Sequence, residues 1–401
     1  MNAGVWTRPC GVSNSPSRAR PSVARSVKQN GRPNPSIIKE TVSKRRVGVI
    51  YGGRSGEHEV SIVSASSIFA NLDRSRYEPV PIRIEKDGRW VLPARPPAVV
   101  SAADVTKLGP GSTDGAPTVE PTAAIRGLDV VFPVLHGPYG EDGTVQGLLE
   151  LANVAYVGAG VLGSAVGMDK AVMKTIFAAH KLPIVPHITV VRREWQADPQ
   201  GITSRVASQL RYPVFVKPAN LGSSVGISKA KNDDSFHEAM ELALQFDKKI
   251  VIESGVANAR EIECAVLGND DPEASVPGEI IVTHRDGFYS YTAKYIDAEG
   301  ATTRIPADLP AAMIEQVRRL SVEAFRVLEL SGMSRVDFFV DGQTNGLFLN
   351  EVNTIPGFTS ISMYPKMWEA SGLPYPALID RLLTLALERH ADKQQLHTSI
   401  T

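Results

Sequence analysis

The sequence predicts a mixed α/β and α+β chain in three parts: an N-terminal domain on a parallel sheet, then two α+β units. Three observations carry this. Apolar runs alternate with helically spaced stretches over residues 46–158, as strand–helix–strand crossovers in a parallel sheet require. Four short strand-like runs follow, with a single helical stretch among them. The last third holds two strand-like runs, MSRVDFFV and GLFLNEVN, about the turn DGQTNG.

The elements follow in order. RVGVIYGG is a buried strand running into a glycine turn, and EVSIVSASSIFANL has helical spacing. YEPVPIRIE is the second strand. Residues 93–126 are rich in Pro, Ala, Gly and Thr and read as a long surface excursion. LDVVFPVL is the third strand, followed by the loop HGPYGEDG and the helix TVQGLLELA; the domain closes near Gly158. A helix about DKAVMKTIFAAH, stopped by LPIVP, opens the central unit, 159–252. HITVV, PVFVKPA, VGISKA and KIVIES are its strands, with a helix at 232–246 between the last two. The C-terminal unit, 253–392, begins with the strand REIECAVLG. Met313, Val317, Leu320, Ala324 and Val327 recur at three- and four-residue spacing, which predicts a helix over 307–330. The hairpin comes next, then a helix about YPALIDRLLTLALERH and a polar tail, 393–401.

Residues 1–45 stand apart. Arg8, Arg18, Arg20, Arg25, Lys28 and Arg32 all precede the first acid, Glu40, and Ser and Pro are frequent without apolar periodicity. The composition reads as a disordered basic tail; an Arg- and Ser-rich organelle transit segment is the sharper alternative. The stretch has no apolar h-region, which argues against a secretory signal.

With 401 residues the chain can bury a large core in two or three domains. A formal net charge of +0 gives no global pull toward nucleic acid or an acidic membrane. No apolar run approaches the roughly 20 residues that span a bilayer. Two cysteines, Cys10 and Cys264, make no disulfide framework, and a reducing cytoplasm fits them. Cys264, in IECAVL, reads as a core residue.

The hairpin 333–353 is the most informative local feature. Strand side chains alternate between faces. Arg335, Asp337 and Phe339 therefore share one face of the first strand, and Leu349, Glu351 and Asn353 one face of the second. Pairing about the turn sets Asp337 nearly opposite Glu351. Facing carboxylates repel, and a cation relieves them. Oxygen ligands favour a hard ion such as Mg²⁺, which completes its shell with water and phosphate. The alternative is a solvated strand face with an Arg–Asp ion pair. NTIPGFTS follows, where Gly357 lets backbone N–H groups approach a substrate.

FVKPANLGSSVGIS (215–228) also resembles a phosphate loop, but Lys217 precedes its glycines. A P-loop places its lysine after them and opens a helix. YGGRSGEHEVS and HGPYGEDG each follow a parallel strand, at the sheet edge where ligands bind. Glu57 there could be a helix-dipole acid, His136 a plain loop histidine and Asp142 a helix cap; two such loops on one edge favour a shared site. Lys170, at a helix start, opposes the dipole unless it reaches an anion. Glu253 ends a strand where a hinge could expose backbone to a base. Lys170, Lys217 and Lys294 with the hairpin make up what a triphosphate needs for neutralisation.

These motifs in this order (GGRSGEHEVS, HGPYGEDGTVQG, MDK, VKPANLGSSVG, AKY, SRVDFFV and NEVNTIPGFTSISMYP) resemble the ATP-grasp superfamily, and within it the D-alanine–D-alanine ligase family, over residues 45–390. The resemblance implies an ATP-grasp fold with a Rossmann-like N-terminal domain, and ATP-dependent joining of two D-alanines for peptidoglycan synthesis. It implies Lys170, Lys217 and the loop 219–226, with Ser224, at the ATP phosphates, and Lys294 at the γ-phosphate. Glu253 and the backbone after it would receive adenine, and Glu261 the ribose. Asp337, Glu351 and Asn353 match the ligands of magnesium or manganese, two ions per site. Glu57 matches the acid that binds the first D-alanine's ammonium, with Ser223 and Tyr295 as its partners. His136 matches a histidine near that substrate's carboxylate. Arg335 and the Gly357 N–H match an oxyanion hole, and Ser362 a contact to the second substrate's carboxylate. A cytoplasmic homodimer is implied, with no nucleic-acid or membrane partner. D-Alanine–D-lactate and D-alanine–D-serine ligases share most of these motifs; Lys294-Tyr295 and Met363 follow the dipeptide-forming pattern. A non-catalytic nucleotide-binding relative would lack a metal ligand or a phosphate lysine, and none is missing.

Overall fold

The computed structural model describes residues 43–97, 116–282, 301–359 and 361–397. The basic N-terminal stretch, the middle of the 93–126 excursion, the aromatic segment with Lys294 and Tyr295, and the last residues of the tail lie outside the described residues.

Strands β1 (Arg45–Gly52), β2 (Tyr77–Ile84), β3 (Trp90–Val91), β4 (Thr118–Val119), β5 (Val130–Pro133) and β6 (Ala155–Tyr156) form the first sheet, in the order β4-β3-β2-β1-β5-β6. β2, β1, β5 and β6 run parallel, and β3 and β4 extend the edge antiparallel. β1 is buried on both faces, so it reads as an unbroken apolar run rather than an alternating one. The excursion after β3 returns to the sheet as its edge strand.

The second sheet is antiparallel and contains β7 (His187–Val191), β8 (Val214–Pro218), β9 (Ser228–Ala230) and β10 (Lys249–Ser254), in the order β7-β10-β8-β9. Helices Arg192–Ala197, Pro199–Gln209 and Asp233–Ala243 cover one face. Helical spacing in the sequence predicts only the last of these. Asp198 capping the second helix, with Pro199 at its first position, was the available signal. β10 continues to Ser254, past the division at 252/253, so Glu253 belongs to the second sheet.

The third sheet contains β11 (Arg260–Gly268), β12 (Glu273–Ala274), β13 (Gly278–Val282), β14 (Ala301–Arg304), β15 (Gly332–Val340) and β16 (Leu347–Asn353). Its order is β14-β13-β11-β15-β16, with β12 beside β11. Ile262, Cys264, Val336 and Phe338 face a core shared with helices Lys170–Ala179 and Ala311–Val327. Met173 and Phe177 enter this core, so the helix grouped with the central unit by chain order packs against the third sheet. The helix expected over 307–330 opens only after Pro310, its N-cap. Helices Met363–Ala370 and Tyr375–Gln394 fill a second core between the first and third sheets.

The hairpin differs from simple alternation at one residue. Asp337 pairs with Glu351, but Phe338 pairs with Leu349. Asn350 is therefore the extra residue of a β-bulge, which locally re-aims side chains. The bulge turns Leu349 into the core beside Phe338. Leu349 does not share the face of Glu351 and Asn353, as strict alternation predicts.

Candidate active site

The strand order of the first sheet reverses between β1 and β5, which opens a crevice at their carboxyl ends. The loops after these two strands carry Glu57 and His136. Glu57 stands at the N-cap of helix His58–Asn71, but its side chain caps nothing. Its carboxylate instead accepts a hydrogen bond from Ser223 Oγ, on the loop between β8 and β9. Glycines approach that carboxylate closely from both sides. A Cβ at Gly137, where φ is +73°, would stand 2.8 Å from Glu57 Oε2, and one at Gly222 would stand 3.0 Å away.

His136 is buried, and burial pushes its imidazole below the usual range, toward the neutral form. Nδ1 lies 3.1 Å from the Ile355 carbonyl oxygen and Nε2 3.4 Å from Ser64 Oγ. The carbonyl makes Nδ1 the donor and leaves Nε2 as the acceptor. Glu141, on the same loop, accepts from the backbone N–H of Gly137 at 2.6 Å and of Ile355 at 3.2 Å. It ties this loop to the segment after β16. Burial, helped by the nearby Glu57 charge, pushes its carboxyl up to about 8. In that segment Ser362 Oγ would lie 2.9 Å from a Cβ at Gly357, and it accepts from the Thr359 N–H at 3.0 Å. Phe358 N–H donates to Ser64 Oγ at 3.3 Å. Glu57, His136, Gly357 and Ser362 thus gather at one end of the site.

A cavity of 420 Å³ opens between the second and third sheets. Lys217 and Glu253 line it from one side, Glu261, Arg335, Asp337 and Glu351 from the other, and Ser224 comes from the loop. The backbone that follows Glu253, residues 254–256, lines it too. Register explains the acidic wall: Glu261 pairs with Phe339 and Glu263 with Asp337, so alternate residues of β11 and β15 point the same way.

Lys170, Lys217 and Arg335 each hold a carboxylate. Lys170 Nζ is 3.2 Å from Glu351 Oε2 and donates to the Leu221 carbonyl at 2.8 Å, so the helix-start lysine does reach an anion. Lys217 Nζ is 2.8 Å from Glu253 Oε2. Arg335 grips Asp337 through two bonds of 2.7 Å and approaches Glu263 at 3.2 Å. Burial opposes the guanidinium charge, but Asp337 and Glu263 outweigh it and hold Arg335 protonated. Asn353 Nδ2 donates to Asp337 Oδ2 at 2.9 Å.

Among the described residues no cluster of three or more His, Cys, Asp or Glu forms a metal cage. Asp337, Glu351 and Asn353 make a smaller set: two half-buried carboxylates, paired in register, and one amide. That set fits a hard ion that completes its shell with water and phosphate oxygens. Arg335 and Lys170 already balance both carboxylates, as a divalent ion would.

Lys294 and Tyr295 lie outside the described residues. Four residues at the site were not anticipated: Glu141, Lys174, Glu263 and Asn350. Lys174 left one trace in the sequence, a lysine beside Met173 on the apolar side of an amphipathic helix.

Glu253 gives a pH prediction. Burial raises its carboxyl, but Lys174 and Lys217 outweigh burial and hold it at about 2, below the ordinary 4.5. The ionised form therefore stabilises the fold above pH 4.5, and this contribution fades as pH falls toward 2. Glu253→Gln should cost about 3 kcal/mol at pH 7. The gap to wild type in urea unfolding should narrow between pH 4.5 and 2; a gap independent of pH would contradict this ion-pair account.

Comparison with known proteins gives consistent matches. Residues 46–159 match the family model described as D-ala D-ala ligase N-terminus, and residues 176–384 the one described as D-ala D-ala ligase C-terminus. A D-alanine–D-alanine ligase of Solibacter usitatus is 51% identical, over 88% of this chain and 98% of that protein. The structure of the D-alanine-D-alanine ligase from Coxiella burnetii superposes with a TM-score of 0.76 at 40% identity, covering 88% of this chain and 96% of that one. The VanG D-Ala:D-Ser ligase from Enterococcus faecalis gives 0.72 at 31% identity, covering 86% and 100%.

Proposed function

The chain belongs to the D-alanine–D-alanine ligase family, and from that premise we propose the part each residue takes in the reaction. The protein is an ATP-dependent ligase that joins two D-alanines into D-alanyl-D-alanine, with ADP and phosphate as the other products. In the first step the carboxylate of one D-alanine attacks the γ-phosphorus of ATP. An O–P bond forms to give D-alanyl phosphate, the bond to the β-phosphate breaks, and ADP departs. The second D-alanine loses an ammonium proton, its amine attacks the acyl carbon, and phosphate leaves.

Glu57 receives the ammonium of the first D-alanine, with Ser223 and Tyr295 orienting it and His136 near the carboxylate. Lys170, Lys217 and Lys294 take the phosphates under the loop holding Ser224, the first two leaving Glu351 and Glu253 to do so. The backbone after Glu253 receives adenine, and Glu261 the ribose. Arg335 and the Gly357 N–H face the oxyanion of the second step, and Ser362 the second substrate's carboxylate. Asp337, Glu351 and Asn353 would hold magnesium or manganese, two ions per site, and the metal would supply positive charge against the phosphates. Water must be excluded while the acyl phosphate exists, and the 219–226 loop is placed to do that. We assign the product to peptidoglycan synthesis and the chain to the cytoplasm as a homodimer. Among the described residues no helix is long and apolar enough to cross a membrane.

One observation supports this reading above the others: the Ser223–Glu57 hydrogen bond. It sets the acid for the first D-alanine beneath the loop that would close over phosphate, so one closure serves both substrates. Ser223→Ala should raise the KM of the first D-alanine about tenfold, the loss of one charge-assisted hydrogen bond, and move the KM of ATP less. An equal or larger loss for ATP would make the loop a phosphate cradle only. Product analysis with ATP, D-alanine and competing D-lactate or D-serine tests the whole reading. D-Alanyl-D-alanine should dominate; a predominance of the depsipeptide or of D-alanyl-D-serine would overturn it.

A further inference from the structure

Lys174 has no role in the mechanism above, yet among the described residues it is the most deeply buried cation near the site. Its side chain is 0% exposed. Nζ lies 3.0 Å from Glu253 Oε1, on β10, and donates to the Asn350 carbonyl at 3.1 Å, on β16. It therefore links the two sheets that bound the cavity. A lysine placed there must overcome a desolvation penalty, and burial does push its ammonium below the usual range, against the pull of Glu253.

Two lysines share Glu253, and their positions differ. Lys217 lines the cavity; Lys174 does not. Lys217 also has a second partner, Asn350 Oδ1 at 3.2 Å. When Lys217 turns to a phosphate, Glu253 keeps a counter-ion only because Lys174 stays. Without Lys174, that movement would leave a buried carboxylate unpaired, so Glu253 would hold Lys217 back. Asn350 adds a second link. It is the bulge residue that sets Glu351 opposite Asp337, and Lys174 holds its carbonyl while Lys217 holds its side chain.

We infer that Lys174 is a positioning residue: a permanent counter-ion that fixes Glu253 and the Asn350 bulge, and so frees Lys217 to bind phosphate. The inference rests on the phosphate role given to Lys217 above.

The test compares Lys174→Met with the double variant Lys174→Met/Glu253→Gln. The first readout is the phosphate advantage, the ratio of adenosine to ADP dissociation constants measured by calorimetry. Lys174→Met should reduce it about tenfold, because Glu253 retains Lys217. The double variant has no carboxylate to retain Lys217, so its advantage should return to within about threefold of wild type. The second readout is kinetic: Lys174→Met should raise the KM of ATP while the KM of D-alanine stays within about twofold. An unchanged phosphate advantage in Lys174→Met, or KM values rising together, would overturn the inference. If Lys174→Met does not melt cooperatively, the double variant decides, and a lost advantage there would overturn it. D-Alanine-dependent phosphate release by wild type, run alongside, tests the ligase reading by itself.

Discussion

Glu351→Ala should lower D-alanine-dependent phosphate release by about 10³-fold or more while the protein still unfolds near the wild-type temperature. Both halves follow from where Glu351 sits. Its side chain is 23% exposed and pairs with Lys170 at 3.2 Å. The pair is largely buried, so its loss carries a cost, but Lys170 keeps its bond to the Leu221 carbonyl, and removing the carboxylate opposite Asp337 relieves like-charge repulsion. The catalytic loss is of another kind. Asp337 and Asn353 remain, but a set of one carboxylate and one amide cannot hold a hard divalent ion against water. Charge on the transferring phosphoryl group then goes uncompensated. Excess magnesium should not restore the rate in Glu351→Ala, whereas Glu351→Asp should recover part of it with a weaker apparent affinity for the ion. Near-wild-type turnover in Glu351→Ala would refute the assignment of this hairpin to the metal.

That pairing also shows how far the sequence could be read. Alternation along two strands placed Asp337 near Glu351 correctly. It could not show why, because without the bulge the same turn would set Asp337 against Asn350. A bulge depends on what the extra residue meets in space, here Lys174 and Lys217. The same limit explains Lys174 itself. Helical spacing marks it as a lysine near an apolar stripe, and only the fold brings Glu253 to it. Glu141 reads as one more acid in a polar loop until the backbone N–H of Ile355 arrives from the far end of the chain. The places of His136, Glu57 and Lys217 at strand ends and in glycine loops are local signals, but the roles given to them come from the family resemblance. The two-residue strands β3, β4, β6 and β12 carry too few residues to show a period.

Arg335→Lys should separate the two chemical steps. Arg335 is the donor assigned to the oxyanion of the second step, and removing such a donor lowers kcat by about 10²–10³-fold. The substitution keeps the positive charge and loses the planar fork. Two bonds of 2.7 Å to Asp337 and a contact of 3.2 Å to Glu263 now fix that fork, and an ammonium cannot reproduce them. Phosphoryl transfer to the first D-alanine meets Arg335 only through Asp337, whose charge a lysine still balances, so it should suffer less. The acyl phosphate would then form faster than the second amine can consume it, and water would compete for it. The measurement is the ratio of phosphate released to dipeptide formed. It should be near unity for wild type and rise clearly above it in Arg335→Lys, with the KM of ATP little changed. A fall in turnover with the ratio held at unity would place Arg335 in the first step, and Gly357 would then lose its proposed partner in the oxyanion hole.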